Sequence, residues 1–203
     1  MKTSSRAATA ALVLASAITL AGCSSESGPV AGTKAPTKAP SESSATPTPT
    51  AEAKAGTRAN PFPVGSPGKH SAESVWTFTW DGTNADGWSE IQKANEFNEA
   101  PSAGQSFVLS STTVAAGSDI GTEGGDPIAS FAISYVGSDG NTYPAAGDCG
   151  VLPGTAVYEI GRMYPDAAQK GFVCSVVPTD AVAGGTWNVQ ALVGSGTAFF
   201  AGA

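Results

Sequence analysis

Histidine is nearly absent from this 203-residue sequence. The one copy, His70, leaves no second imidazole for a metal and no HExxH helix for a zinc protease. Patterns that hold phosphates or expose a nucleophile are missing as well: there is no GxxxxGK[ST] loop, no GxGxxG turn and no GxSxG elbow. Basic residues are scarce, ten Lys and Arg against seventeen Asp and Glu, a formal net charge of -7. A surface of that sign cannot neutralise a phosphate backbone, so nucleic acid is excluded as a partner. The longest uncharged apolar run, Ala7 to Ala21, is about fifteen residues, whereas a helix crosses a bilayer with roughly twenty. A permanent transmembrane anchor is therefore not expected.

What is present begins with that run. Met1 to Arg6 carries Lys2 and Arg6 and no acid, and small or apolar residues follow, the pattern of an export signal. The run closes on Leu20-Ala21-Gly22-Cys23, which resembles the bacterial lipobox. Small residues before the cut let a peptidase reach the backbone, and only a thiol takes a diacylglycerol as a thioether. The resemblance implies removal of residues 1–22 and lipidation of Cys23, which places the chain on the extracytoplasmic face of a bacterial membrane. Two acyl chains, each methylene worth about 0.8 kcal/mol when buried, make a stable anchor where one is marginal.

From Ser24 to Asn60 the residues are mostly Ala, Ser, Thr, Pro, Gly and Lys, with no aromatic and only Val30 as a β-branched aliphatic. Such a segment cannot bury enough surface to offset its backbone entropy, so it is expected to be a disordered tether about 35 Å from end to end. Its Thr/Pro stretch, Ser41 to Thr50, is a candidate for O-linked sugar. From Pro61 onward four bases face fourteen acids, and the acidic charge of the chain is concentrated there.

Three cysteines are an odd number for an oxidising compartment. With Cys23 assigned to lipid, Cys149 and Cys174 remain as a natural pair. A bridge between them closes a loop of about 26 residues, worth roughly 3.5 kcal/mol in the chain-entropy view. Zinc is the competing use, and two cysteines with one distant histidine are too few ligands.

Residues 61–203 are enough for one domain. Val75 to Trp80 alternates, with Trp76, Phe78 and Trp80 on one face, and Asp81-Gly82 ends it as a turn should. Further strands are predicted at 107–114, 128–136, 171–178, 187–193 and 197–200, with a weaker one at 156–160. Trp88, Ile91 and Asn95 recur at helical spacing, so a short helix is predicted over 88–97, burying Trp88, Ile91 and Phe97. Short strands separated by Gly-rich turns predict an antiparallel β-sandwich, with a barrel as the second choice.

Four fragments also carry a family likeness: "GTRANPFPVGSP" from Gly56, "ANEFNEAPSAGQSFVL" from Ala94, "DGNTY" from Asp139 and "GFVCSVVP" from Gly171. In that order they resemble the immunoglobulin-like, telokin-like domain of secreted and lipid-anchored Gram-positive proteins. The resemblance implies an all-β, immunoglobulin-like sandwich with a Cys149 to Cys174 bridge. It carries over no catalytic residue.

Candidate chemistry is sparse. His70 sits in "GSPGKHSAES" without a nameable partner and is expected to be a solvated loop residue. Asp81 with Asp86, or Glu96 with Glu99, could supply the two carboxylates of a glycosidase. Among fourteen acids such pairs are also expected by composition alone. The acidic loop Asp119 to Asp126 lacks EF-hand spacing but could clasp calcium. Asn95 and Asn98 are expected to cap the helix end and bond the loop after it. Trp76, Trp80, Trp88 and Trp187 are expected in the core or half-buried, and one exposed ring could join a glycan platform.

The function expected from these residues is a membrane-anchored, non-enzymatic binding module whose partner is a protein or a cell-wall glycan, with no metal or cofactor. A secreted cell-wall hydrolase working through paired carboxylates is the alternative. An accessory subunit of a transporter or sensor is the third reading.

Overall fold

A computed structural model describes residues 54–145 and 148–202. The leader, Cys23 and the tether before Lys54 lie outside the described residues.

Two antiparallel four-stranded sheets stack on each other. The first contains β1 (Pro67–Gly68), β2 (Trp76–Asn84), β3 (Gln105–Ala116) and β6 (Ala168–Pro178), in that order. The second contains β4 (Phe131–Val136), β5 (Thr142–Pro144), β7 (Thr186–Ala191) and β8 (Thr197–Ala201), in the order β5-β4-β7-β8. Successive strands β3 and β4 lie in different sheets, and β6 returns to pair with β3 before β7 returns to pair with β4. This is the Greek-key crossing of an immunoglobulin-like sandwich. The fold class read from the sequence is the observed one.

Alternation decides which side chains enter the core. On β2, Trp76, Phe78 and Trp80 point inward, and the register places Phe78 opposite Val114 and Trp80 opposite Thr112. On the facing sheet Tyr135 pairs with Trp187, and both are fully buried. Trp80 and Trp187 stack across the interface with ring centres 5.1 Å apart. Each buried indole removes roughly 200 Å² from water, about 5 kcal/mol of transfer free energy as an upper figure. Several polar groups on the inner face are satisfied, Thr112 donating to the Thr79 carbonyl, Ser175 to that of Tyr143, and Trp187 Nε1 to Thr83 Oγ1, whereas Trp80 Nε1 is buried without a partner among the described residues.

The first sheet is also covered on its outer face. Phe107, Leu109 and Cys174 point away from the sandwich and form a second core with Ile91, Cys149 and Leu152. Helix α1 (Trp88–Ala94) supplies Ile91, and Trp88 sets its ring edge-on to Phe107 at 6.1 Å. The helix starts at Gly87, where a Cβ would stand 2.5 Å from that of Leu109. Glycine is thus what lets the helix lie so close to β3.

Several expectations are corrected. The helix stops at Ala94, and Phe97 is 83% exposed instead of buried. Its end is set by Asn98, whose side chain takes the Ile91 carbonyl, while Asn95 adopts extended backbone. Residues 156–160 contain a single 3-10 turn (Val157–Glu159) in place of a strand. The third predicted strand starts three residues late, because residues 127–130 make a turn in which Ser130 and Phe131 both donate to the Pro127 carbonyl. Two short strands, β1 and β5, and helix α2 (Thr179–Val182) have no counterpart among the predicted elements.

The folded part also begins earlier than Pro61. Gly56 accepts from the Phe199 amide, Phe62 pairs in parallel with Phe200, and Arg58 donates to the Gly137 carbonyl at 2.7 Å. Residues 56–62 therefore form a strap on β8, in which Gly56 and Phe62 both bond Phe199 and residues 57–60 turn between them.

Candidate binding cleft

Beside β5 the edges of the two sheets meet, Ser175 of β6 donating to the Tyr143 carbonyl, and they part where β5 ends. That strand is only three residues long, and its last residue, Pro144, has no amide to donate. Past its end the inner faces of the sandwich are left partly open toward β6, forming a cleft of about 280 Å³. Its floor is Phe131 and Ile133 of β4 and Val173 of β6. Val157 and Tyr158 form one wall. Ile128 and Leu192 flank it and are 47% and 55% exposed.

The wall is held by covalent and polar ties. Cys149 and Cys174 are bridged, with Cα atoms 6.2 Å apart. Just past the bridge, Asn98 Nδ2 donates to the carbonyls of Ile91 and Val151, each at 2.8 Å, and its Oδ1 accepts from the Val151 amide at 2.9 Å. Gly150, at φ +76, presses against Asn98 Oδ1 where a Cβ would clash at 2.3 Å. The Phe172 amide donates to the Thr155 carbonyl, and Glu159 accepts from the Ala156 amide. Val157 and Tyr158 are carried by this anchored segment.

Among the described residues no charged side chain lines the cleft, and its main chain is partly bonded inward: Ala145 donates to the Ile133 carbonyl and Leu192 to that of Ser130. The Tyr158 hydroxyl is pushed above the usual phenol range, first by desolvation and then by the nearby Glu159 charge. It is neutral at any ordinary pH. Chemically the cleft can hold an uncharged apolar group; it offers no nucleophile and no strong base.

The residues singled out in the sequence fall elsewhere. His70 is not solvated: it is 8% exposed, edge-on to Phe78 at 6.2 Å, with Nδ1 buried and unpartnered among the described residues. The turn after β1 and the Gly196 backbone of the β7–β8 hairpin enclose it. Desolvation holds its pKa below the ordinary histidine value. Asp81 is paired with Lys170 at 2.9 Å and accepts from Ser111, and the Lys170 bond is the main cause of its lowered pKa. Asp86 lies in the turn past β2, where its amide donates to Asn84 Oδ1. Glu96 and Glu99 are exposed in the segment after α1. Neither carboxylate pair shares a hydrogen bond among the described residues.

In the acidic loop, the Glu123 and Gly124 carbonyls both accept from Arg162 Nη1, at 3.1 and 3.2 Å. A guanidinium already occupies oxygens that a cation would need. Among the described residues no group of three His, Cys, Asp or Glu is placed to hold a metal. Asn95 and Asn98 do cap the helix end and bond the following loop, and Asn98 also reaches Val151, which lies 53 positions away. Trp76, Trp80 and Trp187 are buried and Trp88 is half-buried.

A polar cluster that sequence reasoning missed stands on the β4–β5 hairpin. Asp139 accepts from the Asn141 amide, from Asn141 Nδ2 and from the Tyr143 hydroxyl. The Tyr143 bond is the largest cause of the lowered Asp139 pKa. The "DGNTY" string was the available signal, since an Asp two residues before an Asn at a turn bonds its own backbone.

No family model and no curated protein matches the sequence. Two solved structures are similar in shape. One is a conserved hypothetical protein from Bacillus anthracis, 11% identical, covering 68% of this chain and 94% of its own, with a TM-score of 0.41. The other is an uncharacterised β-sandwich protein from Clostridium difficile 630, 9% identical, covering 75% of this chain and 98% of its own, with a TM-score of 0.36.

Proposed function

We propose that this chain is an extracytoplasmic bacterial lipoprotein, held to the membrane through Cys23, whose immunoglobulin-like sandwich is a non-enzymatic binding module. The observation that carries the reading is the string Leu20-Ala21-Gly22-Cys23 at the end of an apolar run with two cations before it. A tether follows, and then a telokin-like domain of the lipid-anchored type. The bridge between the other two cysteines suits an oxidising compartment. An open apolar cleft on a sandwich without a histidine-nucleophile pairing among the described residues suits binding better than turnover. A protein or a cell-wall glycan on the same envelope is the partner class that a tethered module meets.

The test is intact-mass analysis of the protein from its native membranes. A mature chain starting at Cys23 and carrying a diacylglyceryl adduct is expected. An unmodified Cys23 in protein that washes free in dilute buffer would overturn the anchoring. Retention of a partner by the purified chain from surface-biotinylated cells tests the binding role, and turnover of peptidoglycan fragments lost on replacing Asp81 or Glu96 would replace it with the hydrolase.

A further inference from the structure

We propose that the cleft between β5 and β6 is a binding site for the hydrocarbon chain of an uncharged amphiphile. This deepens the binding-module reading by naming what one face of the module takes, and it does not depend on how the chain is anchored.

Three observations carry the choice of ligand. The first is size: an apolar cavity of about 150 Å³ holds benzene, so the cleft, at about 280 Å³, takes a chain of roughly ten carbons. The second is polarity. Phe131, Ile133, Val157 and Val173 present only hydrocarbon, and the one lining hydroxyl that can reach a ligand is that of Tyr158. A sugar entering here would strip its hydroxyls of water with almost nothing to replace it, which disfavours a glycan at this site. The third is charge. Among the described residues no Lys, Arg or His lines the cleft, and the residues from Pro61 onward carry fourteen acids against four bases. A fatty-acid carboxylate would meet repulsion without a counter-ion, whereas an alcohol or glyceride head can rest outside, beside Tyr158.

The geometry of the mouth agrees with this assignment. Ile128 and Leu192 are half exposed on either side, so a chain leaving the cleft continues over apolar surface before reaching water. The bridge and the Asn98 clamp hold the wall that faces them, so the site is formed before the ligand arrives.

Isothermal titration of the full chain carrying Cys23→Ser, which has no acyl group of its own, with 1-octanol and with octanoate tests the proposal. Saturable one-to-one binding of octanol is expected, with octanoate at least tenfold weaker. Leu192→Glu places a charge at the mouth on an exposed position and should weaken octanol at least tenfold with an unchanged denaturation midpoint. Ile128→Glu is the second mouth variant and should behave alike. Phe97→Glu, outside the cleft lining, should leave binding unchanged. The acylated chain from membranes tells the source of the chain: equal affinity means a separate amphiphile, and a loss of affinity means that the protein's own lipid occupies the site. Absence of saturable octanol binding, octanoate binding as tightly as octanol, or mouth variants that both bind like the parent would each overturn the proposal.

Discussion

Replacing Asn98 probes the part of the structure that ties the cleft wall to the helix. Its amide makes three hydrogen bonds, to the Ile91 carbonyl and to both polar groups of Val151. Each such bond contributes about 0.5–1.5 kcal/mol net. The bond to Ile91 is part-buried and the two to Val151 are exposed, so water recovers much of the loss, and Asn98→Ala is expected to cost about 1–2 kcal/mol. Asn98→Asp is the more discriminating change. It keeps an acceptor for the Val151 amide but turns the donor into a second oxygen, 2.8 Å from two carbonyl oxygens. Without a proton between them these oxygens repel, so the Asp replacement should destabilise more than the Ala replacement above pH 6, and less so once the carboxyl is protonated in acid. Urea denaturation of the three proteins gives the comparison, and a loss near 2 kcal/mol lowers the melting temperature by roughly 4–8 °C for a domain of this size. An Asn98→Asp variant as stable as the parent at pH 7, or an Asn98→Ala variant within about 0.5 kcal/mol of it, would refute the clamp.

Other expectations follow from the same structure. Removing the Cys149 to Cys174 bridge by a double Ala replacement should cost roughly 3 kcal/mol, from a loop of sequence separation 25; denaturation midpoints that coincide would contradict it. His70 is the only histidine, and burial lowers its pKa below the ordinary 6.5. The unfolded chain therefore takes up the proton first, and stability should fall as pH drops below 6.5, by at most about 1.4 kcal/mol per unit. His70→Gln should flatten that slope between pH 7 and 5, and an identical slope in the variant would disprove the assignment. Trp187→Phe loses the bond to Thr83 and part of the stack on Trp80, and should cost about 2 kcal/mol by thermal unfolding. Lys170→Ala breaks an ion pair whose partners are 56% and 42% exposed, and should change stability by less than about 0.5 kcal/mol in a urea titration.

The strands with strict alternation are legible because their periodicity is written locally. Trp76, Phe78 and Trp80 declare an inward face by themselves, and the structure buries all three. Phe97 misleads for the opposite reason. The helical spacing of Trp88 and Ile91 invites extension, but the helix is cut by a side chain whose second partner, Val151, lies 53 positions away. His70 misleads too, since its cover comes from residues near Gly196 that share no local pattern with it. The cleft is the hardest feature to see. Ile128, Ile133 and Leu192 are ordinary aliphatics from separate segments, and what leaves them uncovered is a strand too short to close the sandwich. No string in the sequence announces a missing neighbour.

The strap formed by residues 56–62 has a mechanical consequence. Gly56 and Phe62 both bond Phe199, on either side of the turn at residues 57–60, and only Phe62 is paired in parallel with β8, its ring packed on Phe200 with centres 5.3 Å apart. A pull applied at the N-terminal side of Gly56 meets its single bond to Phe199 first, and reaches the two bonds of Phe62 only after the turn between them has opened. A protein drawn outward by a heavy partner would thus give way in two steps, letting out the turn before the sandwich itself bears the load.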